Sequence, residues 1–157
     1  MSLAEKPVYV AVIGASNARP EDLEHAETAG RRLAELGAIV ITGGRGGVME
    51  AASRGAKQGG GLTVGILPGF DRSDANAFVD VGLPTGLGEL RNGLVARSAD
   101  ALVAIGGAWG TLAEIAFARG ADKPVFGVGS WDLGDDGVVA VGSGAEAAER
   151  AVAAIRP

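Results

Sequence analysis

Apolar residues along this chain fall into two kinds of run that alternate. Residues 8–13, 38–41, 62–67, 101–105 and 125–128 are short, nearly unbroken apolar stretches, each bounded by glycine, proline or polar residues. Runs of that length and continuity predict strands buried on both faces. Between them, apolar residues recur at helical spacing. Leu23, Ala26, Ala29, Gly30, Leu33 and Leu36 form one face of a helix that opens at Pro20 and stops at Gly37. Further helices are predicted over 48–57, over 89–98, from the glycine turn at 106–111 to about Gly120, and over 145–155. Gly59-Gly60-Gly61 closes the second of these helices, and Pro68-Gly69 stops the strand before it reaches a polar loop at 70–76. A short strand over 77–81, an irregular connection over 83–88, a turn over 132–137 and a short strand over 138–141 complete the pattern.

Strands alternating with helices predict one α/β domain, a three-layer α/β/α sandwich around a largely parallel sheet. Right-handed crossovers place helices on both faces of such a sheet. The domain spans 7–157 and residues 1–6 read as a loose tail, with no internal repeat or dividing linker. Ligands of open parallel sheets bind beyond the carboxyl ends of the strands. Four turns would gather on that edge: 14–19, 42–47, 68–76 and 106–111.

Composition narrows the chemistry. A hydrophobic content of 47% in 157 residues supports a real core despite 27 glycines. Lysine and arginine number 14 against 19 acidic residues, a net charge of −5 with no basic block, so a sequence-independent grip on nucleic acid is not expected. The chain has no cysteine, which excludes disulfides, thiolate metal sites and cysteine nucleophiles. The single histidine, His25, lies among Glu21, Asp22, Glu24 and Glu27 and reads as a solvated helix residue, so no metal site is expected. Neither a membrane-spanning stretch nor a signal-peptide pattern is visible, and a cytoplasmic protein is the expectation.

The turns decide which ligands fit. Gly14, Ser16 and Asn17 do not complete G-x-G-x-x-G, and the second strand ends in Thr42 instead of an acidic ribose ligand. No G-x-x-x-x-G-K-[S/T] occurs either. What remains is Gly43, Gly44, Arg45 and Gly46 in one turn and Gly106, Gly107, Trp109, Gly110 and Thr111 in another, each followed by a helix. Backbone N–H groups at a helix start bind phosphate without a lysine; glycines that merely permit tight turns are the plainer alternative. Thr111 and Glu114 also have the spacing of a capping box, which would occupy both side chains. Arg91 and Arg97 fit surface positions as well as ligand contacts, and Trp109 suits either base stacking or a subunit contact. Asp132, Asp135 and Asp136 read as turn residues.

Together, T-G-G-R-G-G-V-M-E at 42–50, G-I-L-P-G at 65–69, R-N-G-L-V-A-R-S-A-D at 91–100 and G-G-A-W-G-T-L-A-E at 106–114 resemble one family over about residues 8–128. It is the Rossmann-like group once called "possible lysine decarboxylase", although nothing here suggests a pyridoxal phosphate lysine. The group includes the LOG cytokinin-activating phosphoribohydrolases. The closer resemblance is to its DprA/Smf-related branch, which contains the molybdenum cofactor carrier proteins. In the hydrolases the signature is P-G-G-x-G-T-x-x-E, with an arginine nine residues before an aspartate. Gly106, Gly107, Gly110, Thr111 and Glu114 match that motif, and Arg91, nine residues before Asp100, matches the arginine.

By that resemblance the glycine turn at 106–111 and Thr111 would hold a 5′-phosphate, with Gly14, Ser16 and the turn at 43–46 as further candidate ligand contacts on the same edge. Arg91 and Glu114 would act at the N-glycosidic bond of a nucleoside 5′-monophosphate, with no cofactor. A carboxylate beside the anomeric carbon would stabilise the positive charge that builds there. The alternative implied by the carrier branch is a non-catalytic protein holding a nucleotide or a molybdopterin-type cofactor as cargo. Three departures lie on that side: Ile105 precedes the glycine pair where the hydrolases have proline, Asn92 follows Arg91 in place of lysine, and the 43–50 turn ends V-M-E, not L-M-G. The resemblance also implies a homodimer or higher assembly.

Overall fold

The computed structural model describes residues 5–134 and 136–156. Seven strands form one sheet: β1 (Tyr9–Gly14), β2 (Ile39–Thr42), β3 (Thr63–Leu67), β4 (Val81–Pro84), β5 (Ala101–Ile105), β6 (Val125–Val128) and β7 (Val139–Ala140). Their order is β4-β3-β2-β1-β5-β6-β7, and every neighbouring pair is parallel. The helices are α1 (Pro20–Glu35), α2 (Val48–Gln58), α3 (Arg91–Ser98), α4 (Trp109–Gly120) and α5 (Gly144–Ile155). The fold is the expected Rossmann-like α/β/α sandwich.

The layers follow from the period of two along each strand. In β1, Val10 and Val12 enter the core shared with α1, α2 and α5, where Leu33, Val48, Ala52 and Ala148 are buried. Ala11 and Ile13 enter the opposite core, with Val95 of α3 and Ile115 of α4. The central strands β1 and β5 are covered on both sides, which is why they read as unbroken apolar runs. The two strands are parallel, but successive strands are added outward in opposite directions from β1 and from β5, and this switch point opens a crevice at their carboxyl ends.

On one face the helices lie unusually close. A Cβ built on Gly30 would fall 1.9 Å from the Ala52 carbonyl oxygen, and one on Gly55 would fall 1.9 Å from that of Glu27. Glycine here is a packing residue between α1 and α2. Gly144 meets α1 in the same way, 2.0 Å from the His25 carbonyl oxygen, and donates its N–H to His25 Nδ1 at 3.4 Å. The half-buried His25 thus ties α1 to α5 and is not simply a solvated histidine.

The fourth strand lies later than the pattern suggests. Residues 77–80 are a turn, and β4 takes Leu83 and Pro84 from the stretch expected to be irregular. Polar partners explain the shift: Asn76 Oδ1 accepts from Phe78 N–H at 3.0 Å, and the Asp80 carboxylate accepts from Thr63 N–H and Lys57. These bonds fold 76–80 into a turn before the strand begins. The third helix starts at Arg91, two residues late, because Gly88–Leu90 form a 3-10 turn. Of the expected 138–141 strand, Val139–Ala140 pairs with β6. No helix among the described residues is long and apolar enough to cross a membrane.

Candidate functional site

Because all strands run one way, the loops after β1, β2, β3 and β5 meet at one edge, and a cavity of about 480 Å³ lies among them. Gly14 and Ser16 come from the first loop, Gly43 and Arg45 from the second, Pro68 from the third, and Ala108, Gly110 and Thr111 from the start of α4. Arg91 and Asn92 enter from α3, Glu89 from the preceding 3-10 turn, and Glu114 from the second turn of α4. The volume is that of a small-molecule site.

Two loops are locked together before any ligand arrives. Gly47 has φ +63°, and a Cβ there would lie 2.3 Å from the Ala15 carbonyl oxygen. Val48 N–H donates to that same oxygen at 3.0 Å. The third loop braces the second: Asn76 Nδ2 donates to the Arg45 carbonyl at 2.8 Å, and Asn76 N–H donates to that of Gly44 at 2.9 Å. The cavity wall is therefore preformed backbone.

The start of α4 is not closed by the expected capping box. The helix begins at Trp109 with Ala108 as its cap and no side-chain cap bond, so Thr111 stands inside the first turn. Its hydroxyl Oγ1 is buried without a partner. The first N–H groups of any helix lack intrahelical acceptors; here Ala108, Gly110 and Thr111 at that helix start line the cavity, and the Thr111 hydroxyl is unsatisfied.

Arg91 and Glu114 share that cavity. Arg91 donates from Nη2 to the Gly43 carbonyl at 3.4 Å and from Nη1 to Asn92 Oδ1, while Nε is buried and unpartnered. Burial lowers the guanidinium's pKa, opposed by the charge of Glu114. Glu114 is 6% exposed and makes no ion pair among the described residues. Burial pushes its carboxyl up to about 8, against the opposing pull of Arg91. At neutral pH it is mostly the protonated acid, a hydrogen-bond donor instead of an anion.

Other sequence candidates fall elsewhere. Gly44 and Gly46 do not line the cavity; Gly44 serves the turn, with φ +77° and its N–H on Thr42 Oγ1 at 3.0 Å. Gly106 and Gly107 open onto a second, adjacent cavity of about 300 Å³. Trp109 is 78% exposed and lies against Trp131, with ring centroids 5.2 Å apart, outside the lining of either cavity. Arg97 is exposed on α3. Asp132 accepts from Gly134 N–H at 3.3 Å, as a turn residue does; Asp135 lies outside the described residues. No cluster of metal-ligating side chains occurs among the described residues. Asn92, noted in the sequence for standing where the hydrolases have lysine, and Pro68, in the turn expected on this edge, both line the cavity; Glu89 and Met49 line it with no such signal in the sequence.

Residues 7–154 match the SLOG cluster 4 family. The chain belongs to this family. An uncharacterized protein of Archaeoglobus fulgidus is 42% identical over 120 residues, covering 76% of this chain and 79% of its own. Among solved structures, the molybdenum cofactor binding protein of Rippkaea orientalis superposes with a TM-score of 0.88 at 35% identity, covering 98% of this chain and 99% of that one. The molybdenum cofactor carrier protein of Chlamydomonas reinhardtii gives 0.85 at 32% identity, covering 97% and 100%. DNA processing protein A of Helicobacter pylori, at 0.71 and 20% identity over 94% of this chain and 81% of that one, shares the fold.

One detail of the hydrolase resemblance needs correcting. Two residues, Ala108 and Trp109, separate Gly107 from Gly110, where the hydrolase signature has one. Counted back from Gly110-Thr111, Gly106 takes the proline's place and Ala108 the second glycine's. The turn of this chain thus differs from the hydrolase signature in two positions, and Ile105 is the end of β5.

Proposed function

We propose that this chain binds a phosphorylated heterocycle of the molybdopterin type in the larger cavity and carries it without cleaving it. The observation that carries the reading is the pair of orphaned polar atoms at the cavity wall, Thr111 Oγ1 and Arg91 Nε. Buried polar atoms without partners are costly and point to an absent one. A phosphate monoester at the start of α4 would accept from the free N–H groups of the first turn and from the Thr111 hydroxyl, with the helix dipole favouring its charge. Arg91 would balance that charge.

The residues fit such a cofactor for a second reason. A pterin that holds its metal through its own sulfurs asks the protein for shape, hydrogen bonds and a phosphate site, and needs no protein thiolate. Likeness to the cofactor-binding and carrier proteins of Rippkaea orientalis and Chlamydomonas reinhardtii supports this choice over a nucleotide.

Glu114 weighs against hydrolysis. Cleavage of an N-glycosidic bond calls for a carboxylate beside the anomeric carbon, whereas burial leaves Glu114 largely neutral at pH 7. As a neutral acid it would donate to a carbonyl or ring nitrogen of the heterocycle. The test pairs two measurements on the purified protein: saturable binding of molybdopterin by native mass spectrometry, and release of free base from AMP, GMP, CMP and isopentenyl-AMP. Binding without release is expected. Turnover that Glu114→Gln abolishes would replace this reading with the hydrolase one.

A further inference from the structure

The glycine turn after β5 is a wall between two recesses. Gly110 and Thr111 open to the larger cavity, and Gly106 and Gly107 open to the smaller one. The two recesses share Ala15 and Ala108, so they adjoin across a single point of the carboxyl edge. That point is the switch between β1 and β5, where crevices of doubly wound sheets take ligands. A phosphoryl group seated on this turn would have space on both sides. A simple monoester uses only one of them.

The smaller recess has a definite chemistry. Asp22 from α1 is 8% exposed and lines it. Arg19 holds that carboxylate, Nε to Oδ2 and Nη2 to Oδ1, each at 3.1 Å. One bond per oxygen leaves further acceptor capacity on both, since an ionised carboxylate has about four lone-pair sites. Gly106 keeps the space in front of it open: its φ is +72°, and a Cβ there would lie 3.3 Å from Asp22 Oδ2. Arg19 lines the recess as well, but its guanidinium is already paired with Asp22 and, through Nη1 at 2.7 Å, with Glu21, so a second phosphate there would meet net like charge. A sugar hydroxyl would donate to it.

We infer that the natural ligand is a two-part molecule joined by a phosphoanhydride or phosphodiester. Its heterocycle lies in the larger cavity, its phosphates lie across the glycine turn, and a neutral, hydroxyl-bearing ring lies against Asp22. This rests on the phosphate site proposed above and extends it from a monoester of the heterocycle to a conjugate in which the phosphoryl link joins that heterocycle to a sugar.

Calorimetric titration with GMP, GDP and GDP-mannose tests the inference, guanine presenting the same amino and oxo groups as a pterin edge. GDP-mannose should bind about tenfold tighter than GDP, equivalent to about 1.4 kcal/mol. Asp22→Asn and the exposed-site substitution Asn17→Trp, which narrows the recess, should each remove that gain while GMP affinity stays within about twofold. Equal affinity for GDP and GDP-mannose would overturn the inference, as would a gain that survives both substitutions. Failure of all three nucleotides to bind would overturn the inference too, whereas the reading of the larger cavity falls only if molybdopterin itself fails to bind in the assay above.

Discussion

Replacing Glu114 by glutamine should change how stability depends on pH, and the sign is fixed by the structure. An ordinary glutamate titrates near 4.5, whereas burial raises Glu114 to about 8 in the folded chain. Folded and unfolded states are both protonated below the lower value, so the full stabilising effect of the proton is present there. Between the two values the unfolded chain loses the proton while the folded chain keeps it, and stability falls as pH rises; above about 8 the loss is complete. Each pH unit in that window costs about 1.4 kcal/mol, which sets an upper bound of roughly 5 kcal/mol. Relaxation around the charged form and water entering the open cavity will reduce the measured value.

Glutamine keeps the shape and never ionises, so the variant escapes this loss. Urea unfolding at pH 5, 7 and 9 is the assay. The variant should gain on the wild type steadily toward pH 9, by well over about 1 kcal/mol, with the two converging toward pH 5. Parallel pH profiles for the two proteins would refute the assignment of a protonated, desolvated Glu114. So would a variant that is less stable at pH 9 than at pH 5 relative to wild type.

Thr111→Val removes the orphaned hydroxyl while keeping its volume, so stability should hold or rise; a phosphorylated ligand should bind about tenfold or more weakly, because a bond to a charged acceptor contributes about 1.5–3 kcal/mol. Titration of ligand into both proteins checks this. Gly47→Ala combines φ +63° with a 2.3 Å clash and should lower stability by about 3 kcal/mol or more, a Tm drop of roughly 6 °C or more in a thermal melt. Gly55→Ala drives a methyl into the Glu27 carbonyl across the α1–α2 contact and should cost about 1–3 kcal/mol. Gly120→Ala, with nothing within 4 Å, should be neutral or stabilising by a few tenths of a kcal/mol in the same melts.

Much of the architecture was readable because its signals are local. The apolar runs at 8–13 and 101–105 are continuous, and only strands covered on both faces tolerate that, so the two central strands and the parallel sheet followed directly. Pro20, Gly37 and the helical spacing between them bounded α1 closely. The fourth strand was misplaced because its start depends on Asn76 and Asp80 meeting partners from β3 and α2, distant in sequence. Thr111 and Glu114 had capping-box spacing, but the helix began earlier, at Trp109, and both side chains turned to the cavity instead.

Taken alone, the sequence determined the layers, the edge on which the glycine-rich turns gather, and the presence of Arg91, Thr111 and Glu114 in the motifs that reach it. Those depend on periodicity and short-range turn chemistry, which neighbouring residues carry. The tertiary structure decided that Gly106 and Gly107 face one recess and Gly110 and Thr111 another, that Gly30 and Gly55 are packing residues, and that Glu114 is desolvated without an ion pair. Cavity shape and the pKa of a buried carboxyl are set by what surrounds a group in space, and loops distant along the chain supply those surroundings.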